Sequence, residues 1–257
     1  LRLISGAKTN NAEILADTGG VIEISAITVT QGAGGVLLAD GGLIDFNGNA
    51  TVTGGTLRTA NGGAILRRGN GALTLNSVFI DTDLPVDPGS QIAWSGATLS
   101  CTGDIILNDT NNAGNAFIQF NTDTTLTGGG RILLGGSGND SQVFTNGTTA
   151  TLDPSFTIQG SGDLHATLVN NGLVRAVPST FGDGTLALIT GGKTNNATME
   201  AVAGGRLLVQ SVSVTQGPGG VLLADGGEVE FSGNATVSGG TLRAINGGTL
   251  QRFGNGT

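Results

Sequence analysis

Residues Gly34–Gly42 read Gly-Gly-Val-Leu-Leu-Ala-Asp-Gly-Gly, and the same stretch returns letter for letter at Gly219–Gly227. The offset is 219 − 34 = 185 residues, and it also relates Leu3 to Leu188, Phe46 to Phe231 and Gly71 to Gly256. Roughly 60% of the positions in that window are identical, with no gap needed. A long repeat free of insertions makes the architecture periodic along the chain. The 257 residues are read as one continuous segment: 1–185 is one full long repeat, and 186–257 begins the next. Because the chain starts and stops inside the repeat, it reads as a piece of a longer protein.

A shorter period is nested inside the long one. Val21-Ile-Glu-Ile, Leu43-Ile-Asp-Phe, Ala64-Ile-Leu-Arg, Gln91-Ile-Ala-Trp and Phe117-Ile-Gln-Phe each open a unit. A second strand with alternating Thr follows at Ile27-Thr-Val-Thr, Ala50-Thr-Val-Thr, Leu73-Thr-Leu-Asn, Ala97-Thr-Leu-Ser, Thr124-Thr-Leu-Thr and Ala150-Thr-Leu-Asp. A third, often after Gly-Gly, comprises Val36-Leu-Leu, Thr56-Leu-Arg, Val78-Phe-Ile, Asp104-Ile-Ile-Leu, Arg131-Ile-Leu-Leu and Phe156-Thr-Ile. Three short strands per unit of roughly 21–27 residues predict an all-β, right-handed parallel β-helix, a β-solenoid, of about eight turns per long repeat. Alternation then assigns the sides. Ile22/Ile24, Ile44/Phe46, Ile92/Trp94 and Ile118/Phe120 point inward and stack, as do Val29, Val52, Leu75, Leu99, Leu126 and Leu152. The Thr residues between them form an outward stripe. Arg67 and its repeat Arg252 fall on inward positions, so a bulge turning them out is expected, since a buried unpaired arginine is too costly. Asp81–Asp87 and Asn108–Asn115 are read as protruding loops. Gly-Gly, Asn-Gly and Asp-Gly pairs mark corners that need positive φ, where Asn amides can stack along the axis.

Composition limits the function. There are 47 Gly, 5 Pro, no Tyr and 12% charged residues, and the mean hydropathy is +0.16. Glycine shows no Gly-X-Y period, which excludes collagen, and there is enough apolar material for a core. The net charge is −8 with no basic cluster, which argues against nucleic acid. No apolar run approaches the ~18 residues of a membrane span, so no membrane insertion is expected of this segment. The lone Cys101 cannot form an internal disulfide and reads as a core or strand residue.

The runs Asn195-Asn-Ala-Thr-Met-Glu-Ala201, Gly204-Gly-Arg-Leu, Gly219–Gly227 and Gly239-Gly-Thr-Leu-Arg resemble the repeats of large bacterial surface proteins. These are similar to filamentous-haemagglutinin and autotransporter-type passengers. The resemblance covers about two-thirds of the chain and weakens between Asp81 and Asp163. It implies a right-handed β-helix at the cell surface, acting as an adhesin or fibre. Its partners would be itself, head to tail or through further repeats, and host or surface glycans. No binding residue carries over from it.

Candidate chemistry is sparse. Polygalacturonases share the parallel β-helix and use paired carboxylates. Asn121-Thr-Asp123 resembles one of their short motifs, but the accompanying Asp-Asp pair, Gly-His-Gly and Arg-Ile-Lys are missing. The one histidine, His165, reads as a surface or corner residue. Gly135-Gly-Ser-Gly-Asn-Asp140 matches the start of a calcium-binding nonapeptide, once and without its apolar anchor. Asp81, Asp83 and Asp87 are the better calcium candidate, three carboxylates in one short stretch; no other cofactor is expected. Sequons at Asn49, Asn196 and Asn234 read as corner signatures. The Thr stripe raises ice binding, although Ser213, Ser238, Asn76 and Asp153 interrupt it and β-propensity explains Thr on a solvated face. The expectation is a non-catalytic extracellular surface fibre or adhesin. A carbohydrate-binding or carbohydrate-cleaving β-helix and an ice-binding solenoid are the alternatives.

Overall fold

The computed structural model describes residues 1–108, 114–136, 138–179 and 182–254. It is an all-β, parallel β-solenoid of about eleven turns. Each turn lays one strand on each of three ladders, here called faces A, B and C. Face A runs from Arg2–Leu3 through Val21–Ile24, Leu43–Asn47, Ala64–Arg68 and Leu84–Val86 to Thr241–Ile245. Face B starts with Lys8–Asn10, Thr28–Gln31, Ala50–Thr53 and Gly71–Asn76. Face C starts with Glu13–Ala16, Val36–Asp40, Thr56–Ala60 and Phe79–Asp81. The turn length varies from 16 residues (Thr157 beside Leu173) to 27 (Asp104 beside Arg131). The short turn is closed by Gly162–Asn170, a strand that serves face B with its first half and face C with its second. Ser141–Leu152 does the same, with a register irregularity between Phe144 and Thr149.

The core is a set of columns parallel to the axis. On face A, Ile24, Phe46, Arg67, Val86, Leu107 and Leu134 succeed one another turn by turn, all fully or almost fully buried. Beside them run Leu84, Ile105, Ile132, Ile158, Val174, Met199 and Leu222. Each such aliphatic side chain taken from water stabilises the coil by about 1.5–3 kcal/mol. Cys101 belongs to this core, and burial pushes its thiol up to about 12.

The Asp-Gly-Gly corners of the repeated stretch show why both glycines are needed. Gly41 and Gly226 have φ of +67° and +70°, which a side chain disfavours. At Gly42 a Cβ would run into the carbonyls of Ala16 and Asp17 one turn below, and at Gly227 into those of Ala201 and Val202. The first glycine bends the chain; the second lets neighbouring turns touch.

Three expectations are corrected. Asp81–Asp87 is no protruding loop, because Leu84–Val86 is a strand of face A with Leu84 and Val86 buried. This extra strand moves every later unit on by one face. Ile92/Trp94 and Ile118/Phe120 do point inward, but they stack over Leu73/Leu75 on face B rather than over Phe46. Leu99, Leu126 and Leu152 sit on face C, away from Val29, Val52 and Leu75. Arg67, expected to turn outward, is fully buried in its inward position. Its guanidinium donates to the carbonyls of Phe46 (2.9 Å), Gly71 (2.6 Å), Gln91 (3.3 Å) and Arg68. Carbonyls at the corner of the coil supply what an acidic partner would otherwise supply, and burial still pulls the Arg67 pKa down. Of the second expected loop, Asn108 is buried and donates to Gly114 O and Asp140 O; residues 109–113 lie outside the described ones.

Candidate functional site

The three candidate carboxylates take separate partners. Asp81 ends its face C strand, accepts from Thr102 Oγ1 (2.8 Å) and pairs with Arg58 Nε (2.8 Å). The Thr102 hydroxyl, and after it the Arg58 guanidinium, hold its carboxyl below the usual range. Asp83 accepts from the Asp104 backbone N–H (2.9 Å), and Asp87 lies 3.7 Å from Arg68. Asp81 and Asp83 share an open groove of about 370 Å³ with Thr59, Gly63, Ala64 and Thr102, whereas Asp87 is not among its lining residues. Among the described residues no three His, Cys, Asp or Glu side chains gather as a metal site. In the nonapeptide-like stretch, Gly138–Asp140 forms a 3₁₀ turn and Gln142 donates to Asn139 Oδ1 (3.0 Å); Ser137 lies outside the described residues.

Sequence reading did not join His165 to any other titratable side chain. Asp163 and His165 alternate along Gly162–Asn170 and so share its outer side. The imidazole stacks on Phe144 (4.7 Å between centroids, 8° between planes), and Phe144 meets Phe117 edge-on. His165 Nδ1 lies 3.2 Å from Thr190 Oγ1, and Nε2 lies 3.8 Å from Asp163 Oδ2. Burial lowers the His165 pKa and raises that of Asp163, each effect opposed by the other group's charge. A hydroxyl, an imidazole and a carboxylate are the parts of a nucleophile relay. Here the 3.8 Å separation exceeds hydrogen-bond reach, and Thr190 Oγ1 also donates to His165 O (3.2 Å). The i, i+2 spacing of Asp163 and His165 on a strand was the available signal. Behind them Lys193 is buried inward and donates to the carbonyls of Ala166 (2.6 Å), Gly191 (2.8 Å) and Thr190. Burial pulls its pKa down to about 7, against the hold of those carbonyls on the ammonium.

The outer surface is organised in rows along the axis. The Thr stripe divides between faces: Thr28/Thr30, Thr51/Thr53 and Thr74/Asn76 lie on B, Thr98/Ser100 and Thr125/Thr127 on C. It is not one flat array. Ion pairs join successive turns at Arg2–Glu23, Arg58–Asp81, Arg131–Asp104, Arg175–Glu200 and Arg206–Glu230. An amide ladder lies just inside, where Asn170 donates to Asn195 (2.8 Å) and Asn195 to Gln216 (3.1 Å), as Asn10 does to Gln31 (3.2 Å). Asn49 accepts from the Ala72 backbone N–H (2.9 Å) and Asn196 donates to Asn171 (2.9 Å), so two sequon asparagines serve as corner contacts. Among the described residues no helix is long and apolar enough to cross a membrane.

Fold and surface define a parallel β-solenoid. Comparison with protein families, curated proteins and solved structures finds no match.

Proposed function

We propose that this chain is a non-catalytic structural rod, part of a long repetitive fibre or adhesin at a bacterial cell surface. The observation that supports this reading is the continuity of the backbone ladder. Face A alone links twelve strands in order from Arg2–Leu3 to Thr241–Ile245, and ion pairs join adjacent turns on the outside. Such a ladder resists bending and extension because every turn is hydrogen-bonded to its neighbours. The mechanism is mechanical: the rod carries outward Thr, Asn and charged rows to partners, which are further copies of the repeat and surface glycans. The role needs no cofactor. Cryo-electron microscopy of the native material that carries this chain tests the reading. Extended rods or fibres with an axial repeat near 40 Å are expected, from about 4.8 Å per turn. Compact particles that cleave polyuronate would overturn it, and thermal hysteresis in solution would favour an ice-binding role instead.

A further inference from the structure

The two copies of the long repeat do not occupy the same faces. Glu13–Ala16 lies on face C, and its equivalent, Thr198–Val202, lies on face A. Leu43–Asn47 on A corresponds to Glu228–Ser232 on B, and Ala50–Thr53 on B to Thr236–Ser238 on C. Every matched strand has moved on by one ladder. The strand count gives the reason. From Glu13–Ala16 to Thr198–Val202 the chain advances 26 − 3 = 23 strands. Ser141–Leu152 and Gly162–Asn170 each serve two faces, which makes 23 + 2 = 25 passes. At three passes per turn, the 185-residue repeat spans 8⅓ turns, or about 40 Å at roughly 4.8 Å per turn.

We propose that the long repeat acts as a screw on the rod surface, carrying one set of outward side chains to the next face with each copy. A longer array would return the set to its first face after three copies, 3 × 25 = 75 passes or 25 whole turns. The physical basis is the near-equivalence of the three faces. Each asks only for an inward–outward alternation and a tight corner, so a repeat need not hold a whole number of turns. Val29 and Val214, and Leu37 and Leu222, are buried alike on different faces. The consequence is directional. Asp40/Asp225 and Arg58/Arg243, identical in the two copies, face different ways, so a flat rigid partner cannot engage both sets together. A small or flexibly tethered partner meets them as separate sites. This inference rests on sheet topology and not on the surface role proposed above.

Spin labels on the intact chain test it. Asn47 and Ser232 are equivalent across the repeat and lie on faces A and B. Asp225 lies on face A itself: from the strand of Asn47 to its own the chain advances 29 − 7 = 22 strands, and the two doubled strands make 22 + 2 = 24 passes, hence eight turns. Buried Cys101 does not compete for label. In N47C/D225C the labels are expected about 38 Å apart, along the axis alone, from roughly 4.8 Å per turn. In N47C/S232C the lateral step between faces should make the distance several ångströms longer. A distance in N47C/S232C equal to or shorter than that in N47C/D225C would place both copies on one face and overturn the screw. Exchange-protected strand amides in both variants show that the labelled chains are folded.

Discussion

The first copy's Val36–Asp40 and the second copy's Val221–Asp225 have the same sequence and the same alternating burial, on different faces. Their neighbours travel with them. Leu38 sits beside Arg58 as Leu223 sits beside Arg243, Phe46 beside Arg67 as Phe231 beside Arg252, and Thr30 beside Thr53 as Thr215 beside Ser238. The unit that the sequence encodes is therefore a local stack of adjacent turns, which any face accepts. What differs is the next turn. Leu57 and Ile65 are 0% and 1% exposed, while Leu242 and Leu250 are 47% and 37% exposed. Strands Phe79–Asp81 and Leu84–Val86, which cover the first pair, have no counterpart over the second among the described residues.

Arg67 and Arg252 offer the largest break of this comparison. Arg67→Ala removes a fully buried guanidinium and leaves the carbonyls of Phe46, Gly71 and Gln91 without their donor. Unpaired buried acceptors and a cavity together should cost about 3–5 kcal/mol. In the 257-residue chain, where no described strand covers Arg252, Arg252→Ala should stay within about 0.5 kcal/mol. Hydrogen exchange of the surrounding strand amides reads each locally; equal effects at the two sites would contradict the burial-by-stacking account.

The buried ammonium of Lys193 sharpens the comparison through pH. Its pKa falls from 10.5 to about 7 on folding, so between those values the unfolded chain binds the proton that the folded chain has released. Stability should therefore rise with pH across that window, by up to about 1.4 kcal/mol per unit, and be insensitive to this group below it. The Lys193→Met variant should lose that slope, whereas Lys8→Met, at the equivalent half-buried position on face B, should keep it. Thermal melting from pH 6 to pH 10 reports the difference; a wild-type protein without the slope would contradict the assignment.

The inward columns were legible because period-2 alternation survives in nearly every strand: Ile22/Ile24, Ile44/Phe46, Ile92/Trp94 and Leu126 all point where their parity puts them. The corners were legible because Gly and Asn mark positive φ. The face of each strand was not, for one reason: Leu84-Pro-Val86 has only three residues, carries a proline that cannot donate to the ladder, and lies among three aspartates. Missing that strand shifts the face assignment of everything after it. Arg67 was illegible because its partners are backbone carbonyls gathered from three turns, which no side-chain pattern records. The Asp163–His165 group was hidden for a similar reason, since Thr190 and Phe144 join it only through the coiling.

At the Asp-Gly-Gly corners the two copies should respond alike. Gly42→Ala and Gly227→Ala each drive a methyl group into backbone carbonyls one turn below. A forced backbone shift of this kind should cost about 1–3 kcal/mol. Exchange of the amides flanking each corner measures it, and a clear difference between copies would mean that the faces are not interchangeable.

The finest test compares Asn61 and Asn246. Both hold positive φ, 50° and 52°, and both donate to the aspartate of the corner one turn below, Asp40 at 2.5 Å and Asp225 at 2.6 Å. Alanine removes the hydrogen bond and resists the backbone; glycine removes only the bond. The pair is exposed, so the bond itself should be worth only a few tenths of a kcal/mol. Alanine should therefore cost about 1 kcal/mol at either site, most of it backbone strain, and glycine close to nothing. Equal losses for alanine and glycine would instead assign the stability to the amide–carboxylate contact. The corner would then depend on its ladder of polar partners rather than on the residue's tolerance of a left-handed turn.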